Sequence, residues 1–531
     1  MKDSDGSRNR GAYVPLTRRT LLQAIGLGAL GVSLTGNPRK SAQAAEKRPP
    51  NVLFIGSDDL RTELNCYGRS HIHSPNIDRL ASEGVLFERA YVQQAVCAAS
   101  RASLLTGCRP DTTGADYPYS EYFVEQFLPQ HPSLPSYFHQ RGYFTRTLGK
   151  IHHSYSEDFS EPDFPGKGEG NYATEESRQK MPGKKYGAAF EMADVADNSY
   201  RDGIIADEAV ATMRRAAKGS APFFLAVGFH KPHLPFCAPK KYWDLYPADT
   251  VGLAPNPEHP QDSPAYSTWH YELGYYSGPS DRGAKQVPED YAKTLRRGYY
   301  ACVSYMDAQV GRILDELESL GLSKNTIVMF WGDNGFHLGE QGTWCKETNF
   351  ELDTHVPLIV RAPGVNANRR CPALVEYVDL FPTVTELADL PRPDYLEGTS
   401  LSPLLQEPQR AWKKAAFSQF PRGIREGYAI RTDHHRYVEW WNKNEDGSRV
   451  EIAARELYDS SADPMETKNI AGLPENKELV AQLSAQLASG WRGALPDGID
   501  NHAKSPAAPP AIPWIAKKNR GPAEEDTDKA P

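Results

Sequence analysis

A chain of 531 residues with 39% hydrophobic and 24% charged residues is too long for one ordinary core and too apolar to stay unfolded. Its formal net charge of -8 argues against a nucleic-acid partner, which needs a basic face to displace counterions from phosphates. The 7 cysteines (Cys66, Cys97, Cys108, Cys237, Cys302, Cys345 and Cys371) include no CxxC pair, which argues against zinc, and their odd number leaves at least one thiol outside any set of disulfides. From the N-terminus, Thr17-Arg18-Arg19-Thr20-Leu21-Leu22, a mild apolar run and then Ser41-Ala42-Gln43-Ala44 have the layout of a twin-arginine (Tat) signal peptide over residues 1–44. The run is too short to span a bilayer comfortably, so export to the periplasm or the medium is expected, without stable membrane insertion. Residues 51–56 form an unbroken apolar run, the pattern of a strand buried on both faces of a parallel sheet. Runs at 144–149, 223–228, 326–331 and 357–360 repeat it, and amphipathic stretches at 76–84, 100–106, 206–217 and 291–320 read as helices. That alternation predicts an α/β fold with right-handed crossovers over residues 50–390. Two long polar connections, 159–200 and 256–290, are rich in Gly, Pro and Tyr, and such loops at a sheet's working edge shape binding sites. Beyond residue 390, short strands at 427–431, 436–440 and 456–459 and a helix at 476–489 predict a smaller α+β domain over 391–495. A Pro-, Ala- and Lys-rich tail over 496–531 is expected to be disordered.

In an open parallel sheet, ligands bind beyond the carboxyl ends of the strands, so the residues after each apolar run are informative. The first run leads into Asp58 and Asp59, the second into Lys150, His152 and His153, the third into His230, Lys231 and His233, and the fourth into Asp333 and Asn334. Singly these are weak signals, since an Asp pair after a strand is more often a turn or a helix cap and a lone His more often structural. Collected on one edge they form a site able to hold a metal and an anion together. Carboxylates gathered at neighbouring strand ends repel unless a cation lies between them, and oxygen ligands suit Ca²⁺ or Mg²⁺ better than zinc or copper.

The segment Cys97-Ala98-Ala99-Ser100-Arg101-Ala102-Ser103-Leu104-Leu105-Thr106-Gly107 is a small-residue run opening a helix, which puts Cys97 near a helix N-terminus where partial positive charge favours anions. It resembles the signature of the type I sulfatases of the alkaline phosphatase superfamily, C-x-P-x-R followed by x4-T-G, in which a maturation enzyme converts the cysteine to formylglycine. Ala99 stands where the signature usually has proline. The resemblance covers nearly all of the chain after the signal: residues 51–60 resemble the family's opening strand with paired aspartates, Asp333-Asn334-Gly335 its D-N-G metal motif, and Leu457-Tyr458-Asp459 through Asn469 its C-terminal segment. Within the family, Arg109-Pro110-Asp111-Thr112-Thr113, residues 149–153, residues 228–236 and Lys346-Glu347-Thr348-Asn349-Phe350 are most similar to the iduronate-2-sulfatase group, although Asn334 stands where that group has histidine.

The resemblance implies an alkaline-phosphatase-like large, mostly parallel sheet and an enzyme that hydrolyses a sulfate ester. It implies one Ca²⁺ held by Asp58, Asp59, Asp333, Asn334 and the modified residue 97, with Asp333 also able to accept the attacking proton. A hydrated formylglycine carries two hydroxyls on one carbon: one attacks sulfur and displaces the alcohol, and the other expels sulfate as the carbonyl re-forms. Arg101 would steady that group, Lys150, Lys346 and His230 would hold the sulfate oxygens, and His230 or Lys346 would protonate the leaving oxygen. His153 would take the proton from the second hydroxyl, while His233 and Lys231 would be pocket walls. The implied partners are a formylglycine-generating maturation enzyme, the Tat machinery and a sulfated carbohydrate, with uronic-acid 2-O-sulfate from a glycosaminoglycan or an algal polysaccharide as the best match. Aromatic residues between 266 and 276 suit sugar rings and equally suit packing. The sequence leaves two other functions open: a phosphate or phosphonate ester hydrolase on the same fold, and a binding protein whose Cys97 is never converted.

Overall fold

The computed structural model describes residues 48–115, 123–153, 155, 157, 171–268, 272–279, 287–444 and 447–505. The twin-arginine segment lies outside the described residues, as does the tail from residue 506. Seven strands, β1 (Asn51–Asp58), β2 (Val85–Tyr91), β3 (Phe144–Gly149), β4 (Phe223–Pro232), β5 (Thr326–Gly332), β6 (His355–Arg361) and β7 (Arg369–Glu376), build one sheet. Their order is β7-β2-β6-β5-β1-β4-β3. β1 is parallel to β4 and β5, β3 is parallel to β4, and β7 is parallel to β2, whereas β6 is antiparallel to both of its neighbours. The sheet is therefore mostly parallel with one reversed strand, the α/β architecture expected.

Alternation along the central strands explains why their sequences are apolar throughout. Leu53 and Ile55 face a core layer shared with Leu225, Val227, Val328 and Phe330, under the helices α1 (Pro75–Ser82), α3 (Arg201–Ala216) and α4 (Glu289–Ser319). Val52 and Phe54 face the opposite layer with Phe224, Ala226, Ile327 and Met329, which also takes Leu104 and Leu105 of α2 (Cys97–Thr106). Each such side chain is fully buried and contributes about 1.5–3 kcal/mol by leaving water. β2 and β7 were not expected from the pattern. Glu88 and Arg89 interrupt β2, and β7 opens on two arginines; Arg370 of β7 pairs with Glu88 at 2.7 Å, so charges at this side of the sheet satisfy each other.

A second sheet is an antiparallel meander of β8 (Ala416–Arg422), β9 (Arg425–Arg431), β10 (His435–Lys443) and β11 (Arg449–Asp459). Helix α5 (Lys477–Ala488) covers Ile430, Tyr437 and Leu457 with Leu483. β8 docks it onto the large sheet: the Ser418 hydroxyl donates to the Val92 carbonyl at 2.6 Å, and Phe420 packs against Val96 and Ala99 at the start of α2. Past residue 496 the chain still packs, since Asn501 is buried and donates to the Glu397 carbonyl at 2.9 Å.

One glycine sets the distance between the ends of two neighbouring strands. A Cβ on Gly228 would lie 1.9 Å from the Lys150 carbonyl oxygen, so only glycine lets the ends of β3 and β4 close on each other.

Candidate active site

β1, buried along its whole length, delivers Asp58 to the carboxyl edge of the sheet. The next residue, Asp59, has a left-handed φ of 61°, which Asp tolerates better than most residues, and this turn keeps its carboxylate at the same edge. Its backbone is clamped: the Asp59 N–H donates to Asp333 Oδ1 at 2.9 Å, and the Tyr299 hydroxyl donates to the Asp59 carbonyl at 2.8 Å. Asp333 and Asn334 come directly after the neighbouring strand β5. Cys97 is the first residue of α2, with its Sγ 3.7 Å from Asp59 Oδ1. One donor atom each from Asp58, Asp59, Cys97 and Asp333 lies within 4.8 Å of the others, and all four residues are buried.

Arg101 lies one helical turn after Cys97, on the same face of α2. Its Nε donates to Asp333 Oδ2 at 2.7 Å, its Nη2 reaches Asp58 Oδ1 at 3.4 Å, its Nη1 donates to the Lys150 carbonyl, and its guanidinium lies 5.2 Å from the Trp331 ring centroid. The Lys150 ammonium pairs with Asp58. The Lys346 ammonium donates to both Asp59 oxygens at 2.7 Å. Lys346 is flanked by Cys345 and Glu347 at φ of 77° and 78°, two left-handed positions that each cost on the order of 1–3 kcal/mol and persist where the surroundings enforce them.

Burial and charge act on these groups in opposite senses. Burial alone would raise the Asp58 carboxyl, but Lys150, His233, Arg101 and Lys346 outweigh it and hold the group well below the usual carboxylate range. Asp333 goes the other way, to about 6, because burial dominates and the charges of Asp58 and Asp59 add to it against Arg101. Burial, then the Asp58 charge, pushes the Cys97 thiol well up, so the unmodified side chain is a neutral thiol and a poor nucleophile. His153 is lowered to about 3 by burial and by Lys150, and His230 is lowered well below its ordinary value by burial and by Arg201 and Lys150. Both imidazoles are thus neutral at physiological pH.

Three clustered carboxylates with a neighbouring side-chain amide make a hard-oxygen donor set that fits a divalent cation such as Ca²⁺ or Mg²⁺. Asn334 supports the fit: its Nδ2 donates to Asp59 Oδ1 at 2.8 Å, while its Oδ1 is buried with no hydrogen-bond partner. The His230 Nε2 is likewise buried without one. Protein stripped with a chelator is expected to gain thermal stability when the cation is returned, by about 2.7 kcal/mol at a hundredfold excess over Kd. Scanning calorimetry checks this, and a melting temperature indifferent to the cation would exclude binding at this cluster.

The structure brings Asp58, Asp59, Cys97, Arg101, Lys150, Asp333, Asn334 and Lys346 into one contiguous group through these bonds. His153 and His230 join it electrostatically, both feeling the Lys150 charge. Of the two residues expected as pocket walls, Lys231 is a correction and His233 is not. Lys231 is a brace and not a pocket wall: it is buried, and its ammonium donates to the Pro235 carbonyl at 2.6 Å and the His233 carbonyl at 3.2 Å. His233 faces the acids, with its Nε2 3.7 Å from Asp59 and 3.2 Å from Glu272. Of the aromatics between 266 and 276, Tyr276 is buried and Tyr266 packs edge-on against Trp440, so these two are packing residues, while Trp269 and Tyr271 lie outside the described residues. All 7 cysteines are free. Sequence reasoning missed Glu272, one acid in a long polar loop with no local pattern to mark it.

A family model described as Sulfatase matches residues 50–390, and one described as N-sulphoglucosamine sulphohydrolase, C-terminal, matches residues 339–492. The chain is 34% identical over 508 residues to iduronate 2-sulfatase of Mus musculus, covering 79% of this chain and 90% of that protein. It is 31% identical over 516 residues to a sulfatase of Formosa agariphila, covering 93% and 96%. Among solved structures, an enzyme in complex with its substrate D-glucosamine-2-N,6-O-disulfate superposes with a TM-score of 0.69 at 22% identity, covering 86% of this chain and 100% of that one. A phosphonate monoester hydrolase from Silicibacter pomeroyi has the same fold, with a TM-score of 0.66 at 21% identity over 84% of this chain and 96% of that one.

Proposed function

The chain belongs to the sulfatase family and is a sulfuric ester hydrolase, and from that premise we propose that it removes a 2-O-sulfate from a uronic-acid unit of a glycosaminoglycan or an algal polysaccharide. The similarity to iduronate 2-sulfatase supports the sugar class. The observation that carries the chemistry is the position of Cys97, at the first turn of α2 and against three buried aspartates and two lysines.

In this proposal a maturation enzyme oxidises Cys97 to formylglycine, whose hydrate supplies two hydroxyls on one carbon where serine has one. Asp58, Asp59, Asp333 and Asn334 would hold one Ca²⁺, which supplies positive charge beside the ester and favours ionisation of an adjacent hydroxyl. The residues of the chain then divide the remaining work. Arg101, fixed by Asp58 and Asp333, presents its guanidinium plane beside residue 97. Lys150 and Lys346, whose charges both bear on residue 97, hold sulfate oxygens, and the unpartnered Nε2 of His230 offers a further contact to the ester. Of His230 and Lys346, the two candidates for proton donation to the leaving oxygen, Lys346 is the charged one, since burial and neighbouring cations keep His230 neutral; His153, neutral through burial and the Lys150 charge, is in the protonation state that a base requires.

The same proposal has residues 1–44 as a Tat signal that exports the chain to the periplasm or the medium, residues 50–390 as the catalytic domain and 391–495 as a smaller domain. Among the described residues, no helix is long and apolar enough to cross a membrane. A panel of sulfated disaccharides, run beside matched phosphate and phosphonate esters, tests the function. We expect kcat/KM on a 2-O-sulfated uronide to exceed that on the other esters; a preference for phosphate or phosphonate would overturn the reaction, and preference for another sulfated sugar would overturn only the substrate.

A further inference from the structure

We infer that Glu272 is the positioning residue for Lys346. The inference rests on the proposed sulfatase function and names a residue outside the sulfatase motifs. Glu272 sits in the long polar connection before α4, immediately ahead of the short turn Leu273–Tyr275. One of its oxygens, Oε1, lies 3.2 Å from His233 Nε2, and the other, Oε2, lies 3.3 Å from Lys346 Nζ. It therefore ties the turn after β4 to the segment after Trp344–Cys345, two stretches of chain that otherwise meet through Asp59.

Asp59 and Glu272 are not equivalent as anchors. Asp59 belongs to the group of acids suited to a cation, so a cation there competes with Lys346 for its oxygens. Glu272 lies outside the buried group of Asp58, Asp59, Cys97 and Asp333 and shares only a more open group with Asp59 and His233, so it is the carboxylate placed to keep hold of the ammonium when the buried acids are engaged. A lysine needs such an anchor, since its ammonium rides on a flexible four-carbon stem with about 2 kcal/mol of rotamer entropy. The backbone behind the carboxylate is pinned: the Tyr275 N–H donates to the Glu272 carbonyl at 3.0 Å, and the Tyr275 carbonyl accepts from Lys185 at 2.9 Å and Tyr186 at 3.0 Å. Burial would raise the Glu272 carboxyl, but Lys346 and then His233 hold it far below the usual range, so the group is an anion facing the Lys346 ammonium and the His233 imidazole.

A double-mutant cycle on the full chain separates positioning from structure. Glu272→Ala is expected to lower kcat about tenfold on the sulfate ester that the wild type turns over best, with KM changed about twofold or less. In the Lys346→Ala background the same substitution is expected to change kcat by about twofold or less, because its effect runs through the lysine. Glu272→Asp, which keeps the charge with shorter reach, recovers part of the loss. Equal losses in both backgrounds, or a wild-type kcat in Glu272→Ala, would overturn the inference while leaving the sulfatase reading intact. If the wild type releases no sulfate from any ester, the function itself has failed. The cycle is then read on binding of inorganic sulfate by calorimetry, where non-additive effects support the positioning role and additive ones refute it.

Discussion

Cys97→Ala purifies as a folded protein whose release of sulfate falls by at least about 10⁴-fold, the loss expected on deletion of a nucleophile. The substitution removes one sulfur from a buried position at which α2 already continues through Ala98 and Ala99, so the helix start keeps its packing against Phe420 and the second sheet. Circular dichroism and melting temperature verify that the fold is retained. Cys97→Ser separates the chemistry from the shape: with one hydroxyl it is inactive or accumulates a sulfated serine, unless the maturation enzyme accepts serine. In the wild type, the peptide containing Cys97 should be lighter than its encoded mass by about 18 Da, the signature of the aldehyde. An unmodified thiol in fully active protein, or wild-type turnover by Cys97→Ala, would end the proposal. The environment makes that outcome unfavourable on physical grounds, because a thiol raised by burial and by Asp58 offers no thiolate to do the work instead.

Arg101→Met has the second large effect, and here the loss is in stability as well as turnover. The guanidinium is fully buried and touches Asp58, Asp333 and the Lys150 carbonyl, so it joins the ends of β1, β3 and β5. Methionine fills much of the volume but, among the described residues, leaves Asp333 with no ion pair and Asp58 paired with Lys150 alone. Removing one partner of a buried ionic group costs about 3–5 kcal/mol. We expect a lowered midpoint in denaturant at unchanged slope, measured in cation-free protein to isolate the arginine. Returned cation is expected to recover part of the loss, since it meets the same two acids. Arg101→Lys is expected to fall between the two, because a single ammonium cannot span both acids and the carbonyl as the planar fork does. A midpoint unmoved by Arg101→Met would mean that these acids do not depend on the arginine for charge balance.

How far the site was legible depended on whether its residues announce themselves locally. Asp58, Asp59, Lys150, His230, Asp333 and Asn334 each come after an apolar run, and strand ends on one edge of a parallel sheet converge by geometry, so their meeting is foreseeable from spacing. Lys346 comes after only a two-residue strand and was marked by its resemblance to a family segment. Glu272 carried no mark, because an acid in a polar loop becomes functional only through the partners that folding brings to it. The same reasoning accounts for the strands that were missed: in β2, Glu88 and Arg89 break the apolar pattern, and their partners come from β7 and from Asp433.

The order of residues alone was enough to establish a layered α/β core, because a strand covered on both faces must be apolar at every position, and to locate the cysteine-bearing helix start, because its small residues and threonine-glycine ending form one contiguous signal. The tertiary structure alone decided that Lys231 braces the turn carrying His233, that β6 runs against its neighbours, and that Glu272 bridges His233 and Lys346. These are contacts between segments far apart in the chain. Hydrophobic periodicity reports only whether a residue faces the core, whereas the partner of a buried charge is set by which strand ends and loops are packed side by side.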